Sequence, residues 1–309
     1  MPVDAAELRP VLRLLADLVP GLAPDTWAPS VQGAVGHVVG ASGPAGDRYV
    51  LKLLPPAVAD RLPAEVAALG LLAGVPEVPV PAVVAHGSAP GGGGYLLMTR
   101  LDGVRWADRR ARLDATTTSD LTAEVGRALR RVHGVPGPWF GDLTGEGPGW
   151  PTAWDRVQAR TGELLAEHRR VGGAADLGDR VRVLVHDHRH AFRACEAPVL
   201  CHGDLVDGNV LVSDDDAARL SGVVDLERAG WDDPMADLAL TLSHVRQHVP
   251  GDAEVLVAGY GALGPDEQAR LGVHEVLHLV AERSWVAHDR PSGWGESVER
   301  LDGLVRARV

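Results

Sequence analysis

The stretch that decides the fold reads VLCHGDLVDGNVLV at 199–212 and, after an acidic turn, LSGVVDLERAGWDDPMAD at 220–237. Residues 199–201 are a short apolar run that delivers His202, Gly203 and Asp204 into a loop, because Gly203 interrupts the run and polar residues follow. Asn209 opens a second apolar run, 210–212, which stops at Ser213, Asp214, Asp215 and Asp216 and resumes at 220–224 before Asp225. This pattern predicts a β-hairpin with a polar tip. A hairpin returns the chain to its starting edge. Asn209, entering one strand, and Asp225, leaving the other, are therefore expected side by side near Asp204.

An amide oxygen and a carboxylate beside a second carboxylate suit a hard cation such as Mg²⁺, which takes few protein ligands and completes its shell with water and phosphate oxygens. The other carboxylate is then free to orient a substrate hydroxyl. Any one of these residues alone reads as an ordinary turn residue. Together, at this spacing across a predicted hairpin, they match kinase-type phosphoryl transfer, in which an Asp and then an Asn precede a second, metal-binding Asp.

The letters HGD and DLE stand where protein kinases carry HRD and DFG. In this form, HGDLVDGNVLV followed by VVDLERAGWDDPMADLA resembles the aminoglycoside phosphotransferase family, small-molecule kinases that share the protein-kinase fold. The resemblance implies an α/β (α+β) two-lobed fold: a small antiparallel-sheet lobe over 1–101 that binds the nucleotide, and a larger, mainly helical lobe over 102–309 for catalysis and substrate. It implies ATP or GTP with Mg²⁺, Asp204 as the residue that accepts the acceptor's proton, and Asn209 and Asp225 as metal ligands. His202 then braces the loop. Asp237, at the start of a helix beginning near Pro234, hydrogen-bonds it.

Composition narrows the partners. The net charge is −12, and residues 1–101 hold 8 acids and 6 bases against 34 acids and 24 bases in the remainder. Such a balance disfavours nucleic acid, whose affinity comes largely from Lys and Arg on phosphates, and favours a hydroxyl-bearing, cationic small molecule. Asp232, Glu275 and Glu282, with Asp233 and Asp289, are the acids expected to line its side. No apolar run approaches the roughly 20 residues of a membrane span. Cys195 and Cys201 are the only cysteines, too few for a disulfide framework or a zinc site, and point to a reducing cytoplasm. The opening residues read as an amphipathic helix and not as a secretion signal.

Of 30 basic residues, Lys52 alone is lysine. A lone lysine in an arginine-rich chain marks a position where the wider, planar guanidinium does not serve. It falls in the second strand of a hairpin over 30–54, where kinase-like folds reach the nucleotide phosphates. The turn at 32–36 would close over them. Glu65, in a helix first turn after Pro63, is the expected partner of Lys52, with a solvated glutamate favoured by the helix dipole as the alternative.

Two strands, 82–86 and 95–99, flank the GGGG of 91–94, which reads as a hairpin turn because no helix and no GK[ST] follow it. Helical spacing begins after 99–103. The resemblance makes Thr99 and Leu101 the hinge residues offering backbone groups to the base. Ser119 is expected to cap a helix ending at His133, 136–151 to form a loop over the substrate, and 153–168 and 179–194 to be helices. His186, His188 and His190 read as a solvated face.

Resistance enzyme and metabolic kinase (choline, homoserine or sugar) are both open from these motifs. A nucleotide-binding regulator without catalysis is the third reading.

Overall fold

A computed structural model describes residues 5–32 and 36–309. Of the turn expected over 32–36, residues 33–35 lie outside the described residues. Contacts divide the chain into two compact units, Met1–Glu124 with Val206–Ala229, and Val125–Leu205 with Gly230–Val309.

In the first unit, strands β1 (Ala23–Pro24), β2 (His37–Ser42), β3 (Arg48–Leu54), β4 (Val83–Ser88) and β5 (Gly94–Thr99) form an antiparallel sheet in the order β1-β2-β3-β5-β4. Strand side chains alternate between faces. Leu51 and Leu53 point to one face, where they pack with Ala85, Tyr95 and Leu97 under Val11 and Leu15 of helix α1 (Ala5–Leu15). Lys52 therefore projects from the opposite face. Helix α2 (Leu62–Leu72) packs against β4 and β5, with Pro63 in its first turn and Leu62, Glu65, Ala68, Leu69 and Leu72 buried. The GGGG turn closes the β4–β5 hairpin through Ala89 N–H to the Gly93 carbonyl, with Gly91 and Gly92 at φ +106° and +96°, a region that side chains with a Cβ rarely enter.

A second, smaller sheet of this unit pairs β6 (Val104–Arg105) with β10 (Val210–Val212), and β10 with β11 (Leu220–Val223). The last two are the hairpin expected from the motif. Its tip is tied by Asp215, whose carboxylate accepts from Ala217 N–H and Ala218 N–H. The short helix α3 (Trp106–Arg109) follows β6, and Arg109 donates to the Ser213 and Asp215 carbonyls of the tip.

Helix α4 (Ala115–Val132) starts earlier than the expected Ser119 cap, because Asp114 accepts from Thr117 N–H and draws the Ser/Thr run into the helix. The second unit holds α5 (Ala153–Arg170), α6 (Ala175–Asp187), α7 (Arg189–Arg193), α8 (Pro234–His248), α9 (Ala253–Tyr260), α10 (Pro265–Asp289) and α11 (Trp294–Arg306). Their apolar faces meet in a core that includes Val157, Leu165, Val181, Phe192, Val273, Leu277, Val280 and Leu301.

The single helix expected over 179–194 is two helices, α6 and α7, separated at His188, whose Nδ1 turns back to the Leu184 carbonyl. The expected loop 136–151 contains β7 (Phe140–Asp142) and β8 (Gly149–Trp150). With β9 (Val199–Cys201) and β12 (Gly230–Asp232) they form an antiparallel sheet in the order β8-β7-β12-β9. Asp142 folds the β7–β8 connection around its carboxylate, accepting from Thr144, Gly145 and Gly147 N–H. No described helix is long and apolar enough to cross a membrane.

Candidate active site

The first unit gathers charge around one ammonium. Lys52 Nζ lies 2.8 Å from Glu65 Oε2, 2.8 Å from Asp225 Oδ1 and 2.9 Å from Glu227 Oε2, and Arg61 holds the second oxygen of Glu227 at 2.8 Å. The Lys52, Glu65 and Glu227 side chains are buried, whereas that of Asp225 is 38% exposed. Burial opposes the charge on Lys52, but the surrounding carboxylates prevail and hold it above the ordinary lysine range. Glu65 is the most buried of the acids and shares the one ammonium, so burial pushes it above the usual carboxylate range.

The structure thus brings Glu65 to Lys52, as expected, and adds Glu227, which the sequence reading did not single out. The signal for it was present: Glu227 is the last letter of the DLE that departs from DFG.

Asp225 is delivered by the hairpin. Val210 pairs with Val223, and on the next rung Val224 N–H donates to the Asn209 carbonyl at 3.0 Å, so Asn209 and Asp225 leave the ladder as near neighbours. Asp225 adopts φ +65°, a left-handed conformation that Asp and Asn tolerate better than most residues. Carboxylate oxygens of Glu65, Asp225 and Glu227 lie within 4.8 Å of one another. Three acids against Lys52 and Arg61 leave a negative excess, and an all-oxygen donor set of that sign fits Mg²⁺.

The second unit fixes the loop carrying Asp204. Asp237, in the first turn of α8, is buried and accepts from His202 N–H at 2.6 Å and Gly203 N–H at 2.9 Å. His133 Nε2 stands 3.2 Å from the same carboxylate, and its Nδ1 2.8 Å from the Tyr260 hydroxyl. Burial opposes ionisation of Asp237, yet His133, His202 and the loop amides hold it below the usual carboxylate range. Asp204 N–H in turn donates to His202 Nδ1 at 3.2 Å. Gly203 takes φ +77° at the bend. His133 and Tyr260 extend the bracing that sequence reading assigned to His202 and Asp237 alone; the ALRRVHGV ending of α4 held the hint.

The remaining expected residues are dispersed. Thr99 is committed to Ala82, its N–H to the carbonyl and its Oγ1 to the N–H, each at 2.9 Å. Leu101 carries no intramolecular hydrogen bond among the described residues. Asp232 pairs with Arg156 Nε at 3.0 Å, Glu275 with Arg246, and Glu282 with Gln247 at 3.3 Å. Asp233 is buried as the N-cap of α8, holding Arg270 Nε at 2.9 Å and His274 Nε2 at 3.0 Å, so it belongs to the core of its unit and not to a substrate surface. Asp289 is exposed at the end of α10, its carboxylate 3.9 Å from His288 Nε2.

Comparison with known proteins agrees with this architecture. The structure of aminoglycoside 2'-phosphotransferase-IIIa in its GDP complex superposes with a TM-score of 0.68 at 15% identity, covering 97% of this chain and 98% of that one. Aminoglycoside phosphotransferase APH(4)-Ia gives 0.68 at 17% identity, over 97% and 98%. A putative fructosamine-3-kinase from Haemophilus somnus gives 0.65 at 17% identity, over 97% of each. No curated protein sequence matches the chain. Residues 35–273 match the profile of the phosphotransferase enzyme family, and the chain belongs to that family, as an enzyme of kinase-like fold.

Proposed function

We propose that the chain transfers the γ-phosphoryl group of ATP or GTP to a hydroxyl of a small molecule. The observation that carries this reading is the Lys52 ammonium held at 2.8–2.9 Å by Glu65, Asp225 and Glu227. An ammonium so fixed is positioned for phosphate oxygens, and the acids around it exceed the charge they neutralise. Solved structures of the same fold with GDP, and with AMP-PNP and hygromycin B, support nucleotide use.

In this reading residues 1–101 hold the nucleotide and 102–309 supply catalysis and the acceptor site. Lys52 meets the phosphates, oriented by Glu65 and Glu227. The backbone groups of Leu101, which make no hydrogen bond among the described residues, face the base, and Thr99 fixes the segment before them. Asn209 and Asp225 would hold Mg²⁺, whose charge would offset that of the transferring phosphoryl group. Asp204 orients the acceptor hydroxyl and takes its proton. Asp237, through the amides of His202 and Gly203, keeps the Asp204 loop in one conformation.

A cytoplasmic setting suits an enzyme that consumes a nucleoside triphosphate and keeps Cys195 and Cys201 as free thiols. Aminoglycosides are the first acceptors to test, since two structural neighbours hold kanamycin and hygromycin B, and phosphorylation of such an antibiotic would confer resistance. A cationic acceptor draws less support from Asp232, Glu275 and Glu282 than their number suggests, since Arg156, Arg246 and Gln247 already engage them. The test is nucleotide consumption with Mg²⁺ across a panel of aminoglycosides, amino alcohols, sugars and hydroxy acids. Acceptor-dependent product is expected, and consumption that no acceptor stimulates would refute the reading.

A further inference from the structure

We propose that Arg61 is a second phosphate-binding residue of the nucleotide site, meeting the terminal phosphates beside Lys52. This deepens the reading above and rests on it.

A count of hydrogen-bond donors points to Arg61. A lysine ammonium has three N–H donors and a guanidinium five. Lys52 Nζ stands 2.8 Å from Glu65 Oε2, 2.8 Å from Asp225 Oδ1 and 2.9 Å from Glu227 Oε2, so carboxylates take all three of its donors. A phosphate oxygen gains a hydrogen bond from Lys52 only by displacing one of these acids. Arg61 commits one donor, from Nη1 to Glu227 Oε1 at 2.8 Å, and its others make no bond among the described residues. The uncommitted N–H groups of this cluster are those of Arg61.

Exposure selects the same residue. The Lys52, Glu65 and Glu227 side chains are buried, whereas those of Arg61 and Asp225 are 36% and 38% exposed. Solvent therefore reaches the cluster at one guanidinium and one carboxylate. These are complementary groups for a metal-bound polyphosphate: the carboxylate suits the cation, and the planar guanidinium suits phosphate oxygens, two at a time. Without Arg61, three carboxylates would face a polyanion with one ammonium among them.

The chain places Arg61 at short range. Strand β3, which carries Lys52, ends at Leu54; a short 3-10 helix, Pro56–Arg61, follows, and Arg61 with helical backbone leads into α2. Arg61 and Glu65 stand four residues apart along this helical run and share a face. Glu65 reaches Lys52 from it, and Arg61 reaches Glu227. Glu227 in turn joins the two cations, one through each oxygen. Lys52 Nζ and Arg61 Nη1 are thus no more than roughly 8 Å apart, two hydrogen bonds across one carboxylate, a reach that neighbouring phosphates of one nucleotide cover.

The experiment is calorimetric titration of the full chain with ATP, AMP and inorganic tripolyphosphate in the presence of Mg²⁺, for the unaltered chain, Arg61→Gln and Arg61→Lys. Arg61→Gln should raise Kd for ATP and tripolyphosphate about tenfold or more, the scale of a lost charged hydrogen bond, and leave AMP nearly unchanged. Arg61→Lys should recover part of the loss. The weakening should persist when Glu227→Gln is already present, since a direct contact with phosphate does not need that carboxylate. An unchanged Kd for ATP, an equal loss for AMP, or a loss that vanishes beside Glu227→Gln would overturn the proposal and leave Arg61 a structural partner of Glu227. These outcomes presuppose that the unaltered chain binds ATP; if it binds neither ATP nor tripolyphosphate, the nucleotide reading falls together with the proposal.

Discussion

At the scale of single residues, Lys52 is the position with least latitude. Its ammonium meets oxygens of Glu65, Asp225 and Glu227 from two chain segments in a buried space, and a guanidinium brings the same charge in a wider, planar form. Lys52→Arg is expected to lower turnover about tenfold or more, as loss of a charge-assisted contact would; near-normal kinetics would show that shape does not matter there. Asp225 allows a cleaner dissection because of its φ of +65°. Asp225→Asn keeps a residue that tolerates this backbone, whereas Asp225→Ala adds about 1–2 kcal/mol of conformational strain. Both variants should need more Mg²⁺ for half-maximal activity, but only the Ala variant should also lose that stability in urea titrations. Lys52 stood out as the one lysine, set within an apolar strand, and Asn209, Asp225 and the Asp204 loop because each adjoins a short apolar run. Glu227 stood in the DLE motif, but a single glutamate there has no periodicity to betray its burial.

At the scale of elements, glycines separate close packing from mere helix content. A Cβ on Gly126 of α4 would stand 2.3 Å from the Leu256 carbonyl oxygen and 2.8 Å from Tyr260 N, both backbone atoms of α9, whereas one on Gly162 of α5 would meet nothing within 4 Å. Gly126→Ala should destabilise by about 1–3 kcal/mol through overpacking, and Gly162→Ala should stabilise by about 0.5–1 kcal/mol through helix propensity. Thermal melts of the two variants should move in opposite directions, and equal shifts would contradict the packing described. The same scale explains what the sequence hid. The β10–β11 hairpin was readable from its apolar runs and the long helices from periodicity, but β6, β7, β8 and β12 are two or three residues each, with glycine or a charged residue in place of an apolar run. The start of α4 was misplaced because Asp114 captured the Thr117 amide from a position that reads as loop.

At the scale of the whole molecule, two buried aspartates of the second unit link stability to pH. Burial alone would raise Asp233 and Asp237. For Asp233 the bonds to His274, Arg270 and Met235 N–H, and for Asp237 those to His133 and the His202 amide, hold each below the ordinary value of 3.8. A carboxylate depressed on folding contributes stability that is present in full above its unfolded value and lost as pH falls through its folded one. The urea midpoint should therefore fall steeply below about pH 4. Asp233→Asn should lower it at neutral pH and flatten that decline, and an unaltered acid limb would mean that other carboxylates govern it. For the account as a whole, the most direct measurement is transfer of radiolabelled γ-phosphate from ATP and GTP to the acceptor panel, by the unaltered chain and by Asp204→Asn, with nucleotide affinity measured on both. The account predicts acceptor-dependent product from the unaltered chain, a loss of about 10²-fold or more in the variant, the scale of general-base catalysis, and nearly equal nucleotide affinity. Retained turnover in Asp204→Asn, or labelled phosphate that never reaches an acceptor, would contradict it.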